Sequence, residues 1–155
     1  MNNKLKLSIF IFVLLFFLDQ FVKYGFAHWG WDVDGPYMSL KLAYNYGVAF
    51  SMFEFLQEYL KYIQLAMVIG GTIYLLKNKE VFYEYWLAAT FLYVGALSNI
   101  LDRFTYGGVV DYFYWHYGFE FAIFNFADVI IDLAVLIIIL KQIKQSKEEK
   151  QKEIK

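Results

Sequence analysis

The chain has 155 residues, of which 60% are hydrophobic and 23% aromatic, while only 19% are charged. A soluble domain of this length needs more polar surface than that, so the composition favours a small integral membrane protein whose apolar surface is covered by lipid. The net charge of −1 gives no indication of a nucleic-acid partner. The absence of cysteine excludes disulfides, thiolate metal sites and a cysteine nucleophile.

Four apolar segments are long enough to cross a bilayer. A spanning helix needs about 20 residues to cross ~30 Å of hydrocarbon, and lipid favours helices because backbone groups cannot stay unpaired there. The segments are residues 5–24, 59–76, 85–101 and 124–140. The sequence therefore predicts an all-α membrane protein with four transmembrane helices, a single domain over residues 1–155, and a solvated cytoplasmic tail over residues 141–155 that frays.

The first apolar segment also has features of a secretory signal peptide. Lys4 and Lys6 precede an apolar run from Leu7 to Leu18, in the way that an n-region precedes an h-region. No convincing A-x-A cleavage site follows, however, whereas three further apolar segments do. We therefore interpret the segment as an uncleaved first helix.

The basic residues are distributed unevenly along the chain. Two lysines precede the first segment, two lie between the second and third, and six follow the fourth, so that ten of the fourteen basic residues fall on one side. Cytoplasmic loops carry the excess of Lys and Arg, which predicts that both termini are cytoplasmic. The other four fall on the outer side: Lys23, Lys41, Lys61 and Arg103.

The segment between the first two spans, residues 25–58, is too long for a simple connection. Within it, PYMSLKLAYN alternates apolar and polar residues, as a half-buried strand does. The sequence therefore predicts a small β-containing cap on the extracytoplasmic side.

Polar and charged residues collect at the outer ends of the spans and in the outer loops. A carboxylate in the bilayer costs roughly 2.5–3.5 kcal/mol on insertion scales, so such residues are functional candidates. They are Asp19, Lys23, Asn45, Asn99, Asp102, Arg103, Asp111, Asn125 and Asp128. Polar groups from several elements at one depth predict a site at the outer interface.

Each of these residues also has a purely structural interpretation. Asp19 and Lys23 are four residues apart and can form an interfacial ion pair along one helix face. Asp102 with Arg103 can brace the end of the third span. Asp111, which follows two glycines, can be an ordinary loop carboxylate. The structural and functional interpretations both stay open at this point.

In the first outer loop and at the start of the fourth span, the structural alternatives are turns and caps. Asn45 can be a turn residue beside Gly47. Asp128 can cap a helix start, but Asn125 is better placed to do so, which weakens this interpretation of Asp128. Asp132 lies one turn deeper and is harder still to explain as a solvated residue.

Few kinds of catalysis fit these residues. A metalloprotease would need HExxH or a similar cluster, and the only two histidines, His28 and His116, lack that spacing. A Ser–Lys arrangement stays possible because Ser51 lies on the outer side, although nothing specific pairs it with Lys41 or Lys61. We therefore expect no metal and no cofactor.

Asp111 and Asp128 remain, and they come from different elements that flank one short loop. Two neighbouring carboxylates can share one proton, so that one acts as a base on water while the other acts as an acid. This chemistry suits peptide hydrolysis.

Five short motifs resemble, in the same order, those of the lipoprotein signal peptidase family, signal peptidase II. They are DQFVK at 19–23, NYGVAFS at 45–51, GALSNILDR at 95–103, GGVVDYF at 107–113 and FNFADV at 124–129. Each motif alone is weak, whereas five in order with the matching topology are very specific. The resemblance covers essentially the whole chain.

The resemblance implies an intramembrane aspartyl endopeptidase that removes the signal peptide from diacylglyceryl-modified prolipoproteins by cleaving before the lipidated cysteine. It makes Asp111 and Asp128 the catalytic dyad. The substrate-binding or dyad-supporting residues that it implies are Asn45, Gly47, Asn99, Arg103 and Asn125. The structural or positioning residues are Asp19, Lys23 and Asp102.

The resemblance also implies where the protein works and with what. Its partners are prolipoprotein substrates and membrane lipid, with no nucleic acid, and the enzyme is expected to be a monomer. It is expected to be a multi-pass protein of the bacterial cytoplasmic (inner) membrane, with both termini cytoplasmic and the active site near the outer face.

Three positions depart from the family pattern. Ser98 stands where Gly is usual, Ala122 stands where Pro is expected, and Asp132 is outside the common motif. Because Asp132 lies one helical turn below Asp128, we expect it to be buried toward the bundle, hydrogen-bonded and protonated.

Two other classes of function are compatible with intramembrane carboxylates. A small transporter would use them as a proton relay, but it should show polar groups at both membrane faces, and the cytoplasmic halves of the spans are nearly free of them. A non-catalytic assembly protein would use them to bind partner helices, and it should tolerate replacement of one Asp by Asn.

Overall fold

The computed structural model describes residues 3–47 and 52–153, which are mostly helical. The helices are α1 Asn3–Trp29, α2 Gln57–Lys77, α3 Lys79–Glu84, α4 Trp86–Tyr106 and α5 Phe126–Glu153. The strands are β1 Met38–Asn45 and β2 Val109–Trp115, and a short 3₁₀ turn, Glu54–Leu56, precedes α2.

The four predicted apolar segments correspond to α1, α2, α4 and α5. The helices are longer than the apolar segments, because polar residues continue them at their ends: α5 runs on through the lysine- and glutamate-rich tail as far as Glu153. The tail is helical in the described residues, and positions 154–155 lie outside them. The six-residue helix α3 was not predicted, since the sequence around it has no apolar periodicity that distinguishes it from a loop.

Two helical stretches of the described chain, Asn3–Trp29 and Glu54–Lys77, are long and apolar enough to cross a membrane. Only 11% of the residues in the apolar stretch of the first helix, and 6% of those in the second, are buried inside the protein. Large apolar side chains point outward instead, among them Phe17, Phe55 and Met67, which are 66%, 82% and 71% exposed. An apolar surface of this kind suits contact with lipid.

Helix α4 lies at the centre of the helices and contacts α1, α2 and α5. Its contact with α5 is close because α4 carries Gly95 where the two helices meet. A Cβ atom on Gly95 would lie 2.5 Å from Cγ1 of Ile131 and 2.7 Å from the carbonyl oxygen of Ala127. Small residues that let backbones approach are typical of helix contacts in membranes, and this one lies directly beside the start of α5.

The two strands form an antiparallel sheet beyond the C-terminal ends of α1 and α4, which confirms that the chain contains a small β-structure beside its helices. Residue 43 pairs with Asp111 and Asn45 pairs with Val109. The prediction that Asp111 lies in a loop was wrong, because residues 109–115 form the second strand. The sequence conceals it, since six of its seven residues are apolar and do not alternate with polar ones.

The strand β2 is joined to the beginning of α5 by a backbone bridge. The N–H of Phe113 donates to the carbonyl oxygen of Phe124 at 2.8 Å, and the N–H of Phe124 donates back at 3.1 Å. On its other face β2 packs against α1, where the rings of Phe26 and Tyr112 stack with centroids 4.6 Å apart. These contacts fix the position of β2 between α1 and the start of α5.

We predict that Gly95→Ala destabilises the protein by about 1–3 kcal/mol, because the added methyl group meets a backbone carbonyl that cannot move aside. The matched control is Gly70→Ala, since nothing lies within 4 Å of a Cβ at Gly70. Thermal unfolding of both variants in detergent measures the difference. Equal stability of the two variants would show that α4 and α5 do not meet at Gly95.

Candidate active site

The first turn of α5 is held by side chains from three elements. A helix start leaves backbone N–H groups without partners inside the helix. The N–H of Phe126 donates to Oη of Tyr112 at 3.2 Å, and the N–H of Ala127 donates to Oδ1 of Asp19 at 3.1 Å. The start of this helix is therefore tied to β2 and to α1.

The third N–H, that of Asp128, belongs to a reciprocal cap. It donates to Oδ1 of Asn125 at 3.0 Å, while the N–H of Asn125 donates back to Oδ2 of Asp128 at 3.1 Å. This is the capping-box arrangement, with Asp in place of the usual Glu or Gln. The positive end of the helix dipole also favours a carboxylate at this position. Asn125 is thus the cap, as the sequence indicated, and Asp128 is held by it.

The side chain of Asn125 also reaches Asp111 on β2. Its Nδ2 atom donates to Oδ1 of Asp111 at 2.6 Å. Asn125 is completely buried and Asp111 is 2% exposed. Asn125 therefore binds both candidate catalytic carboxylates, that of Asp111 through its side-chain Nδ2 atom and that of Asp128 through its backbone N–H.

Burial raises the pKa of Asp111, and the neighbouring Asp128 raises it further, to about 7. Hydrogen bonds from the side chains of Asn125 and Asn45 favour the charged form and offset part of this effect. Near neutral pH the Asp111 carboxyl can therefore both hold and release a proton.

Asn99 on α4 binds Asp128 from the other side. Its Nδ2 atom donates to Oδ1 of Asp128 at 2.9 Å. Its Oδ1 atom accepts from Nζ of Lys23 at 2.8 Å and from Nδ2 of Asn125 at 3.3 Å. Both oxygens of Asp128 consequently accept hydrogen bonds, from Asn99 and from the cap.

Lys23 is the centre of a buried ion cluster. Its Nζ atom lies 2.9 Å from Oδ2 of Asp19 and 2.7 Å from Oδ2 of Asp102, and all three side chains are fully buried. Asp102 also accepts the N–H of Val110 at 3.2 Å. The predicted interfacial pair of Asp19 and Lys23 is therefore part of a larger cluster that joins α1, α4, α5 and β2.

Ser98, one of the departures from the family pattern, takes part in this cluster. Its Oγ atom donates to Oδ2 of Asp19 at 2.5 Å and accepts from Nε2 of Gln20 at 2.7 Å. Gln20 in turn donates to Oδ1 of Asp102 at 2.9 Å. The hydroxyl group at position 98 thus gives the cluster a hydrogen bond that a glycine would not.

Arg103 is 3% exposed and binds two other elements. Its Nε atom donates to Oε1 of Gln64 at 3.0 Å, and its Nη2 atom donates to the carbonyl oxygen of Gly47. Gly47 itself donates its N–H to Oδ1 of Asn45 at 3.0 Å, in the turn that the sequence suggested. The Nη1 atom of Arg103 is buried and has no hydrogen-bond partner in the described part of the chain. Asp102 and Arg103 bind different partners, and each joins the end of α4 to another part of the chain.

A cavity of about 410 Å³ adjoins these groups. The residues that line it are Asn45, Gln64, Asn99, Arg103, Val109, Phe121, Ala122, Ile123, Phe124, Asp128, Ile131 and Asp132. A larger apolar groove of about 760 Å³ shares Gln64, Asn99 and Ile131 with it and runs between α2 and α4. A polar cavity beside Asp128 thus continues into an apolar groove.

The prediction that Asp132 is buried and hydrogen-bonded was wrong. Asp132 is exposed, lines the cavity, and has no hydrogen bond to a described residue. The buried face of α5 is formed by Ala127, Ile130 and Ala134. At about 100° per residue, position 132 lies on nearly the opposite face of the helix.

The side chain of Asp128 accepts hydrogen bonds from the side chain of Asn99 and from the backbone of Asn125. Neither histidine approaches it: the ring of His28 stacks on Tyr24 with centroids 4.0 Å apart, and Nε2 of His116 lies 3.0 Å from Oγ of Ser39. The donor set therefore suits a charged carboxylate and its substrate.

The described contacts do not support a catalytic Ser–Lys pair. Ser51 lies outside the described residues. Lys41 forms an exposed salt bridge with Asp34 at 2.8 Å, and Lys61 lies over the ring of Tyr62 at 5.4 Å from its centroid. Neither lysine lines the cavity beside Asp128.

The structure connects all ten residues that the sequence singled out, through hydrogen bonds and ion pairs. Sequence reasoning missed Gln20, Gln64 and Tyr112. The first two could have been found, because each is a polar residue inside an apolar helical segment. Tyr112 gave no such signal, since a tyrosine in an apolar strand is ordinary.

Comparisons with known proteins agree with one family. The sequence model of signal peptidase (SPase) II matches residues 11–144. The lipoprotein signal peptidase of Wolinella succinogenes is 52% identical over 128 residues, which are 83% of this chain and 87% of that protein. The corresponding protein of Helicobacter pylori strain 26695 is 43% identical over 143 residues, which are 91% of this chain and 90% of that one.

Solved structures show the same similarity. A bacterial membrane enzyme determined by the in meso method at 2.3 Å resolution superposes with a TM-score of 0.80 and 27% identity. The superposition covers 92% of this chain and 91% of the other. Together with the family match over most of the sequence, this similarity shows that the chain belongs to the signal peptidase II family and is a peptidase.

Proposed function

We propose that this signal peptidase, which removes the signal peptides of prolipoproteins, is an aspartyl enzyme with Asp111 and Asp128 as its catalytic dyad. The substrate is a prolipoprotein whose cysteine already carries diacylglycerol, and the bond cleaved is the one directly before that cysteine. The observation that carries this proposal is the position of Asn125, which binds the Asp111 carboxylate through its side chain and the Asp128 carboxylate through its backbone N–H, beside the cavity that Asp128 lines.

The chemistry follows from two carboxyl groups that hold one proton between them. The ionised carboxylate takes a proton from a water molecule, whose oxygen forms a bond to the scissile carbonyl carbon. The tetrahedral intermediate then loses the amine of the cysteine as the C–N bond breaks, and the protonated carboxyl group donates its proton to that amine. The products are a new carboxyl terminus on the signal peptide and a free amino terminus on the lipidated cysteine.

Arg103 is placed to stabilise the charge that develops on the carbonyl oxygen. It lines the cavity, and its buried Nη1 atom has no hydrogen-bond partner in the described part of the chain. An unpaired buried donor is costly unless a substrate group binds it. Donors fixed where charge develops are a large source of catalysis in such sites.

We further propose that the chain is a single four-span domain with both termini in the cytoplasm and the site near the outer face. The β1–β2 cap lies at the end of the helices opposite the lysine-rich tail, as the distribution of lysines requires. The apolar groove between α2 and α4 gives the site access from the lipid side, which suits a substrate that is itself anchored in the membrane. The enzyme works as a monomer with membrane lipid around it.

If Asp111 and Asp128 form the dyad, single and double substitutions of these residues should abolish activity to the same extent. Asp111→Asn and Asp128→Asn should each reduce turnover of a diacylglyceryl-modified prolipopeptide to background, since an amide cannot cycle the proton. The double variant should lose no more than either single one, because the pair acts as a unit. Release of the signal peptide by purified protein measures this.

The matched control for the dyad variants is Asp132→Asn. Asp132 lies on the same helix and lines the same cavity, but it makes no hydrogen bond to a described residue. This variant should keep most of its activity. Substantial turnover by Asp111→Asn or Asp128→Asn, or a loss of activity in chelator that a divalent ion restores, would contradict the dyad.

The pKa of Asp111 predicts the pH range of activity. One carboxyl group of the pair must be protonated, and burial together with Asp128 raises the pKa of Asp111 to about 7. Because that proton is lost as the pH rises, kcat/KM should fall above pH about 7. Circular dichroism at each pH shows that the fold persists. A profile that stays level up to pH about 9 would contradict a shared proton.

The topology can be tested with single cysteines, since the chain has none of its own. Glu120 lies beyond β2 and Ser146 lies in the cytoplasmic part of α5, and both are exposed. In intact cells an impermeant maleimide should label Glu120→Cys at once and Ser146→Cys only after the membrane is permeabilised. The opposite pattern would place the dyad on the cytoplasmic side.

A further inference from the structure

Lys23 has a contact that neutralisation of its charge does not require. Asp19 and Asp102 already balance and bind the ammonium group. Its third partner is the neutral Oδ1 atom of Asn99, at 2.8 Å. A buried ion pair is weak grounds for inferring stability, because desolvation offsets most of the attraction. The bond to Asn99 gives the third N–H of the ammonium group its acceptor, and it also has a consequence for Asn99 itself.

The bond decides which way the Asn99 amide points. An amide side chain has one oxygen that accepts and one nitrogen that donates, whereas an ammonium group can only donate. With Lys23 on one side, the oxygen of Asn99 must face Lys23 and its NH₂ group must face Asp128. The reversed amide would place its NH₂ group against the ammonium and its oxygen against the Asp128 carboxylate.

The Asn99 N–H completes the set of donors on Asp128. It binds Oδ1, while the backbone N–H of Asn125 binds Oδ2. Hydrogen bonds donated to both oxygens favour the ionised form of a carboxyl group. Asp111 is in a different position, since it lies on a strand, is 2% exposed, and has Asp128 beside it.

We propose that Lys23 is a positioning residue of the peptidase reaction. By holding Oδ1 of Asn99 it directs the Asn99 N–H toward Asp128, and it thereby keeps Asp128 as the ionised base of the dyad and leaves the shared proton on Asp111. This inference rests on the proposed dyad. It assigns Asp128 as the base of that dyad and Asp111 as the acid. It also names Lys23, on α1, as the residue that determines this assignment.

Other charges also surround Asp128, and a test must separate them from the effect of the amide. The titratable and charged groups that face it are Asp19 and Lys23 on α1, Asp102 and Arg103 on α4, Asp111 and Tyr112 on β2, and Asp132 on α5 itself. Removal of Lys23 alone would leave Asp19 and Asp102 buried without a cation. The fold would be at risk, and the charge near Asp128 would change.

The experiment therefore compares the unaltered enzyme with the double variant Asp102→Asn, Lys23→Met. The double variant removes one charge of each sign, so the net charge of the cluster is unchanged, and it removes the bond to Asn99. Asp102→Asn alone keeps that bond and is the control for the lost carboxylate. We expect the acid limb of kcat/KM to lie about one pH unit higher in the double variant than in the unaltered enzyme. We also expect kcat at neutral pH to fall while KM changes little.

A purely structural role for Lys23 would lower the thermal stability and the active fraction but would leave the acid limb in place. Gln20→Leu is the control for a purely structural role, because Gln20 binds Ser98 and Asp102 in the same cluster without contacting Asn99. This variant should lose stability with an unchanged pH profile. Equal acid limbs in the unaltered enzyme and in the double variant would overturn the proposal.

If the double variant does not fold, Asn99→Met decides the question. It leaves the ion pairs of Lys23 with Asp19 and Asp102 in place and removes both the N–H that Asp128 accepts and the Oδ1 atom that binds Lys23 and Asn125, so it must shift the acid limb in the same direction. An unshifted limb in Asn99→Met also overturns the proposal. A failure of the dyad itself looks different, because Asp128→Asn would then remain active.

Discussion

The first turn of α5 is the point on which the rest of the site depends. Its three free N–H groups are bound by Tyr112 of β2, Asp19 of α1 and the capping residue Asn125. If any of these partners were lost, a buried donor would be left unpaired, which costs about 1–3 kcal/mol. The same contacts fix the position of Asp128 relative to Asp111. The fold is thus held together and the carboxylates are placed by one set of hydrogen bonds.

The buried charges explain why the helices at the site are less apolar than ordinary spanning helices. Lys23 with its two carboxylates is fully buried, and ions in such a place are retained only when they are paired and hydrogen-bonded. Each of the three also binds a neighbouring element: Asp19 the backbone of α5, Asp102 the backbone of β2, and Lys23 the side chain of Asn99. The cluster therefore connects α1, α4, α5 and β2. Asn99 links it to the dyad, because its side chain binds both Lys23 and Asp128.

Much of this was predictable from the sequence, and the failures have physical causes. Apolar length predicted the four long helices, and the motifs predicted which polar residues meet. The strand β2 was missed because its residues are buried on both faces, so that it lacks alternation. Asp132 was misplaced because the helix face that it shares with Asp128 was expected to be buried, whereas that face lines the cavity and the buried face is formed by Ala127, Ile130 and Ala134. The contact of Lys23 with Asn99 joins residues 76 apart, and no local pattern indicates it.

The central claim is that Asp111 and Asp128 behave as one coupled pair. Its most direct test is the carbon-13 chemical shift of the Asp111 carboxyl group, followed against pH in the purified enzyme and in Asp128→Asn. We expect the carboxyl group to titrate near pH 7 in the unaltered enzyme. In Asp128→Asn, where the neighbouring charge is removed, it should titrate at clearly lower pH. The same titration in both proteins would contradict it, because Asp111 would then not sense Asp128.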